Sequence, residues 1–267
     1  MSKHYLAETL TIDGPDAVAF AHAQFSSNVA ALAIGKWQFS AWLDAQGRVR
    51  AFFHLARLAD HQLLILLRGG SASATVEALQ RFVFRSKLKL IALPTRTLVT
   101  GPALPMHDIG NDNEDVLLGC DNHSLCLSSH EASDDAWRLA QLHLGWPWLP
   151  DSLLNELLPP ALSLQRLHAV VVDKGCYPGQ EIVARMHFRG AHKKHLHRVE
   201  LSRAENSGES LRIDTQEKGY LLDVFDKDDS IDALAVLNDD VVAQAVDGKL
   251  GAFDNGLMMH LRERWNA

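Results

Sequence analysis

The chain has 267 residues, 22% of them charged, and a net charge of −7, which indicates a globular protein with one large core or two to three smaller lobes. No apolar run reaches the roughly 18 residues of a membrane helix, and residues 1–5 lead into no apolar signal-peptide region. We therefore expect a cytoplasmic protein with no membrane partner. Three cysteines without a C-x-x-C pair exclude a disulfide framework and indicate no tightly bound metal.

The predicted elements alternate between helices and strands in the first part of the chain and become strand-rich towards the end. In chain order they are a helix over 15–34, a β-hairpin of 37–43 and 48–58, a strand over 62–68, a helix over 72–84 and a strand over 87–92. Pro, Gly, Asn and Asp then accumulate over 93–115, which predicts a lobe boundary. Helices over 133–144 (with Ser133 as N-cap) and 151–158, a strand over 170–172 and short strands at 195–201, 219–225, 231–237 and 240–245 follow.

This order predicts an α+β fold that ends in a small antiparallel β-barrel. We expect one region of two interleaved α+β lobes over residues 1–192, with an approximate internal boundary at 93–115, and a C-terminal β-barrel module over 193–267.

The segment 173–185, Asp-Lys-Gly-Cys-Tyr-Pro-Gly-Gln-Glu-Ile-Val-Ala-Arg, is the most informative part of the sequence. Two glycines and a proline within five residues force a tight, exposed turn after the predicted strand. Gln180 and Glu181 then begin an apolar helical run. Cys176 is thus presented on a strand-to-helix turn near Lys174, where helix N–H groups and cations favour a thiolate. A turn cysteine that only packs is the alternative interpretation.

The run 174–181 resembles the K-G-C-Y-x-G-Q-E signature of the YgfZ family, which is related to the T-protein of the glycine cleavage system. Further blocks in the same order resemble that family: 20–29, 81–87, 137–147, 158–165 and 188–194. The resemblance implies a multi-lobe ring with ferredoxin-like lobes, a tetrahydrofolate or polyglutamylated folate ligand, and support of iron–sulfur enzymes, including those that thiomethylate tRNA. It also implies Cys176 and Lys174 as the working residues.

The same resemblance implies which residues contact folate: Trp37, His143, Ser163, Tyr177, Gln180, Glu181 and Arg185. Two of them depart from the pattern. Ser163 stands where the family has Asn, and His143 stands where the transferases keep the carboxylate that reads the pterin. After Gly47 the transferases carry an acidic pair, whereas this chain has residues 50–52, Arg-Ala-Phe. These departures argue against aminomethyl transfer.

Residues 185–198 form a basic strip without a single acid in an otherwise acidic protein. Beside Arg185 its cations are Arg189, Lys193, Lys194 and Arg198. Such a strip indicates a local anion site for a polyglutamate tail or an RNA phosphate. The alternative interpretation is a solvated linker between lobes that binds no anion.

Three functions from different classes stay open: a folate-dependent accessory protein for iron–sulfur enzymes, a folate-dependent transferase or demethylase, and a tRNA-binding module. The missing carboxylates count against the second, and the net negative charge counts against the third. The sequence does not decide whether Cys176 carries a cluster or a sulfur atom, or acts as a redox thiol.

Overall fold

The computed structural model describes residues 5–130, 135–190, 192–227 and 230–265. The strands are β1 (Leu6–Ala7), β2 (Thr9–Asp13), β3 (Lys36–Leu43), β4 (Val49–Ala59), β5 (Gln62–Leu67), β6 (Lys89–Ala92), β7 (Arg96–Gly101), β8 (Ile109–Asp112), β9 (Asp115–Gly119), β10 (Ser124–Ser128), β11 (Lys194–Leu201), β12 (Ser210–Ile213), β13 (Gln216–Lys227), β14 (Ser230–Asn238), β15 (Lys249–Leu250) and β16 (Met259–Arg264). The α-helices are α1 (Ala17–Gln24), α2 (Ala72–Gln80), α3 (Ala136–His143), α4 (Gln180–Arg189) and α5 (Asp239–Ala243).

The first sheet confirms the predicted hairpin and has the antiparallel order β3-β4-β5-β2-β6. Its helix α1 is shorter than the predicted span 15–34, because the backbone N–H of Ser26 turns to donate to the Ala41 carbonyl. The Ser26 hydroxyl also lies within hydrogen-bond distance of the carbonyls of Ala41 and Ala169. Side-chain contacts with distant segments therefore end this helix where local pattern alone would continue it.

The second sheet has the order β1-β7-β10-β9-β8. Strands β7 and β8 lie inside 93–115, the segment in which we expect a lobe boundary, so this segment is not one continuous loop. Its Pro and Gly residues separate short strands. Helix α3 packs near β7 and begins after Asp135, and the predicted N-cap Ser133 lies outside the described residues. The helix predicted over 151–158 is a single 3₁₀ turn, Asp151–Leu153, because Asn155 donates its N–H to the Val49 carbonyl instead.

The third sheet has six antiparallel strands in the order β12-β13-β14-β11-β16-β15. This is a half-barrel, and the described residues do not close it into the full barrel that the strand spacing predicted. Residues 239–243 form helix α5 rather than a strand, because Asp239 and Asp240 favour the first turn of a helix.

One buried core joins all three sheets. It includes Leu66 of the first sheet, Leu125 of the second and Val236 of the third. A buried ion pair between Arg138 of α3 and Asp223 of β13 lies at this junction. None of the described helices is long and apolar enough to cross a membrane.

Candidate functional site

The segment 171–179, which we call the Cys176 loop, has no regular secondary structure. The strand predicted over 170–172 was wrong, because the side chains of Tyr177 in the loop and Gln180 at the start of α4 take its carbonyls. The Tyr177 hydroxyl donates to the Val171 carbonyl at 2.8 Å. The amide of Gln180 donates to the carbonyls of Val172 (3.3 Å) and Lys174 (3.1 Å). These bonds fold the loop back onto the start of α4.

Lys174 ties the loop to α1. Its ammonium donates to the backbone carbonyls of His22, Phe25 and Ser27, which lie at the end of α1 and just beyond it. Burial lowers the pKa of Lys174 to about 8. The three carbonyls show that the ammonium acts as a clamp between segments, whereas the sequence argument placed it as a partner of the Cys176 thiol.

The tip of the β3–β4 hairpin supports the other side of the loop. Gly179 has a φ of +77°, and a Cβ added there would lie 2.5 Å from the Asp44 carbonyl oxygen and 2.8 Å from Gly47 Cα. Only glycine permits this approach of two backbones. Gly47 in turn lies against Ile182 of α4. The hairpin, α1 and α4 therefore fix the loop from three directions.

Cys176 is left exposed by this scaffold, whereas Cys120 and Cys126 are buried. Burial raises the pKa of Cys120 to about 12 and that of Cys126 to about 11, where the carboxylate of Asp115 adds to the effect. Glu181 is also exposed. The signature 174–181 thus divides into residues that build the loop (Lys174, Tyr177, Gly179 and Gln180) and residues that face solvent.

His22 is a neighbour of the loop that the sequence argument did not single out. A Cβ added at Gly175 would lie 3.9 Å from its Nε2, and its Nδ1 accepts from the Ala30 N–H at 3.3 Å. Because Nδ1 accepts, the proton of the neutral ring lies on Nε2, towards the loop. Burial and the nearby Lys174 cation lower the pKa of His22. No sequence spacing indicated this contact, since about 150 residues separate His22 from the loop.

Two of the other residues expected to bind folate, Trp37 and Ser163, lie in the core. Trp37 is buried, donates its indole N–H to the Gly119 carbonyl at 3.0 Å and packs edge-on against Trp146. Ser163 is buried, with its hydroxyl 3.3 Å from the Trp265 carbonyl. Trp37 and Ser163 therefore contact protein groups in the core.

His143 and Arg198 converge on one carboxylate. The Nε2 of His143 lies 3.9 Å from Asp232 Oδ1, and a guanidinium nitrogen of Arg198 lies 3.3 Å from the same oxygen. Arg198 also lies 3.8 Å from Glu263. The predicted anion-binding residue Arg198 is therefore neutralised by two acids.

The predicted basic strip is smaller in the structure than in the sequence. Lys194 pairs with Glu217 at 2.9 Å, so it joins Arg198 as a neutralised cation. Arg185, Arg189 and Lys193 are exposed, and none of the three has an ion pair within the described ranges. Arg185 and Arg189 are four residues apart on α4 and share one face of that helix.

We expect iodoacetamide to alkylate Cys176 far faster than the other two cysteines at pH 7.5. The pKa values of Cys120 and Cys126 lie three or more units above this pH, so less than about 0.1% of either thiol is ionised, and burial blocks access. Peptide mass spectrometry after a time course measures the three rates. The same protein in denaturant is the control, in which all three sites should react. Equal labelling in the folded protein would contradict the assignment.

Comparison with known proteins gives distant relatives along most of the chain. No protein-family model matches it. It is 27% identical over 193 residues to an uncharacterised protein of Haemophilus influenzae, which covers 70% of this chain and 68% of the relative. Proteins named tRNA-modifying protein YgfZ from Sodalis glossinidius and Yersinia pestis are 23% and 26% identical, each covering 89% of this chain and 84% of the relative.

The fold is that of the glycine cleavage system aminomethyltransferase T. The crystal structure of that protein from Bartonella henselae superposes with a TM-score of 0.67 over 98% of this chain and 86% of its own length, at 16% identity. Sequence and fold agree with the resemblance that the 174–181 signature indicated. The chain is therefore a homologue of the YgfZ proteins, built on the fold of the glycine-cleavage aminomethyltransferases.

Proposed function

We propose that this protein is a folate-binding accessory protein that supports iron–sulfur enzymes, including those that modify tRNA. The observation that carries the proposal is the Cys176 loop, where a dense set of contacts holds a single exposed thiol. The relatives named tRNA-modifying proteins support the tRNA part of the proposal. The T-protein fold supports the folate part.

In this proposal Cys176 is the working group and its neighbours position it. A thiolate is the usual protein ligand of iron–sulfur clusters, so an exposed thiol on a fixed loop suits contact with a cluster or sulfur cargo of a client enzyme. A redox thiol is the other chemistry open to it. Lys174, Tyr177 and Gln180 hold the loop through backbone carbonyls, which leaves the thiol free for a partner.

Aminomethyl transfer is the weaker alternative for this fold. The resemblance places the transferase carboxylates after Gly47, but here the Arg50 guanidinium stacks 4.1 Å over the Trp42 ring, and Ala51 and Phe52 are buried in the sheet. None of these three positions offers an acid to the substrate. We therefore assign binding of folate without assigning turnover.

The free cations on and after α4 are suited to the carboxylates of a polyglutamate tail. Arg185, Arg189 and Lys193 lie exposed in the part of the chain that follows the loop. Surface charges are screened over about 8–10 Å at physiological salt. These cations therefore attract a polyglutamate tail only where the tail lies in contact with them. They leave recognition of the pterin to other residues.

Tetrahydrofolate should raise the melting temperature of the protein, and the shift should grow with ligand concentration, because a ligand of the native state adds RT ln(1 + [L]/Kd) to its stability.

With Arg185→Glu and Arg189→Glu combined, affinity for polyglutamyl folate should fall about tenfold or more, while affinity for the monoglutamate should fall less than about threefold. The matched control reverses two charges elsewhere, Arg212→Glu with Arg264→Glu. If a folded sample shows no shift in melting temperature at millimolar tetrahydrofolate, the proposal that the protein binds folate is wrong.

A further inference from the structure

The segment 81–89, between α2 and β6, presents basic and aromatic side chains to solvent; we call it the 81–89 surface. Phe84 is 84% exposed and Phe82 is 44% exposed. The exposed cations around them are Arg81, Arg85, Lys87 and Lys89. None of these four has an ion pair in the described part of the chain. An aromatic ring that stays exposed to water forgoes the favourable free energy of burial. Two exposed rings in one segment therefore indicate a surface that binds a partner.

The local charge is positive although the whole protein is acidic. Residues 78–107 contain five Arg or Lys residues and no Asp or Glu. Three acids lie nearby: Asp13 is the cross-strand partner of Lys89, Asp16 accepts from the Lys87 backbone N–H at 2.6 Å, and Glu77 lines a groove of about 480 Å³ beside Arg81. The positive charge in the segment outnumbers these acids.

Two exposed lysines alternate with leucines in this segment, and an arginine lies beside the exposed Phe84 ring. Lys87 and Lys89 occupy alternate positions and are exposed, whereas Leu88 and Leu90 between and after them turn inward. The Arg85 guanidinium lies 5.3 Å from the centroid of the Phe84 ring. This pairing keeps a ring and a cation side by side at the surface.

The 81–89 surface is attached to the same hairpin that supports the Cys176 loop. The Phe82 ring contacts Trp42 of β3 edge-on, with centroids 6.1 Å apart. Two residues after Trp42 the hairpin reaches Asp44, whose carbonyl oxygen borders Gly179 of the loop. At about 3.3 Å per strand residue, the Trp42 contact is within about 10 Å of that point.

We propose that the 81–89 surface binds single-stranded RNA, such as an unpaired loop of a tRNA. Arg and Lys side chains neutralise backbone phosphates. Exposed aromatic rings stack on unpaired bases. An acidic peptide has no bases, so the rings favour RNA over such a peptide as the partner. The proximity of this surface to the hairpin tip brings such an RNA towards Cys176. This inference rests on the proposed role in tRNA modification for the choice of RNA.

The test measures binding of a fluorescent, unmodified tRNA transcript to the full-length protein at several salt concentrations. Arg85→Glu with Lys87→Glu should weaken binding at least about tenfold and lower the salt slope by about two. Phe84→Ala should weaken binding about fivefold or more without changing the salt slope, because stacking is uncharged. The matched control is Arg212→Glu with Arg264→Glu, the same charge change on the third sheet, which should lose less than about threefold.

Three outcomes would overturn the inference: wild-type protein that does not bind tRNA, equal losses in the control and the test variants, or a polyglutamate peptide that displaces the RNA with no effect of Phe84→Ala. Thermal melts of each variant serve as the control for folding. Tetrahydrofolate binding measured on the same samples separates the two proposals, since we expect the surface variants to keep it. Retained folate binding without RNA binding would refute this inference alone.

Discussion

Arg68→Met should destabilise the protein by about 4 kcal/mol, the largest loss of stability that we expect from one substitution. Arg68 follows β5 and has no solvent exposure. Its guanidinium donates to the carbonyls of Pro147 (2.9 Å) and Trp146 (2.7 Å) and to the side-chain oxygen of Gln141 (2.7 Å). Methionine fills similar space but leaves three buried acceptors without a donor.

Urea denaturation measures this loss, with Arg262→Met as the control because Arg262 is an exposed partner of Glu200. Arg68→Lys should be intermediate in stability, since an ammonium keeps the charge but lacks the planar fork. Burial lowers the pKa of Arg68 to about 9, which shows that burying its charge is costly, and the three hydrogen bonds offset that cost. A loss below about 1 kcal/mol for Arg68→Met would show that water or repacking satisfies these acceptors.

Gly179→Ala should separate the Cys176 loop from the hairpin tip. The added methyl group would meet the backbone of Asp44 and Gly47, which cannot rotate away. Gly190 is a matched control at the other end of α4, because its φ is +61° but nothing lies within 4 Å of a Cβ added there. Alanine at either position pays for the left-handed backbone, about 1–2 kcal/mol.

The difference between the two variants isolates the close packing of the loop. We expect Gly179→Ala to lose about 2 kcal/mol more than Gly190→Ala in urea denaturation, as overpacking at a fixed backbone does. Iodoacetamide labelling of Cys176 should change its rate in Gly179→Ala and stay near the wild-type rate in Gly190→Ala. Equal losses for both variants would mean that the loop does not depend on the hairpin.

The sequence predicted those parts of the fold that local patterns control. The β3–β4 hairpin was correct because an apolar run on each side of Asp44–Gly47 leaves few other structures. Helix α1 was overextended, since the hydrogen bonds of Ser26 with Ala41 and Ala169 depend on segments far along the chain. The β-branched run Val170–Val172 favours a strand, but Tyr177 and Gln180 take its carbonyls.

In the candidate site, too, the sequence predicted the features that local residues determine and missed those that distant segments determine. The glycines and proline around Cys176 correctly indicated an exposed turn. The partners of Lys174 were out of reach of sequence reasoning, because the carbonyls of His22, Phe25 and Ser27 are about 150 residues away. Lys194 and Arg198 looked free in a strip without acids, but β-sheet pairing brings Glu217 and Asp232 across from other strands.

The most direct test of the central claim is tRNA thiomethylation in a strain that lacks its own family member and expresses this protein. Cys176→Ser should be folded, because the change is small and the site is exposed, yet it should restore no more thiomethylated tRNA than an empty vector. Cys126→Ser is the control, since a hydroxyl there can donate to Asp115, which the thiol already contacts at 3.8 Å. It should restore the wild-type level. Full restoration by Cys176→Ser would contradict the account and leave the loop with a structural role only.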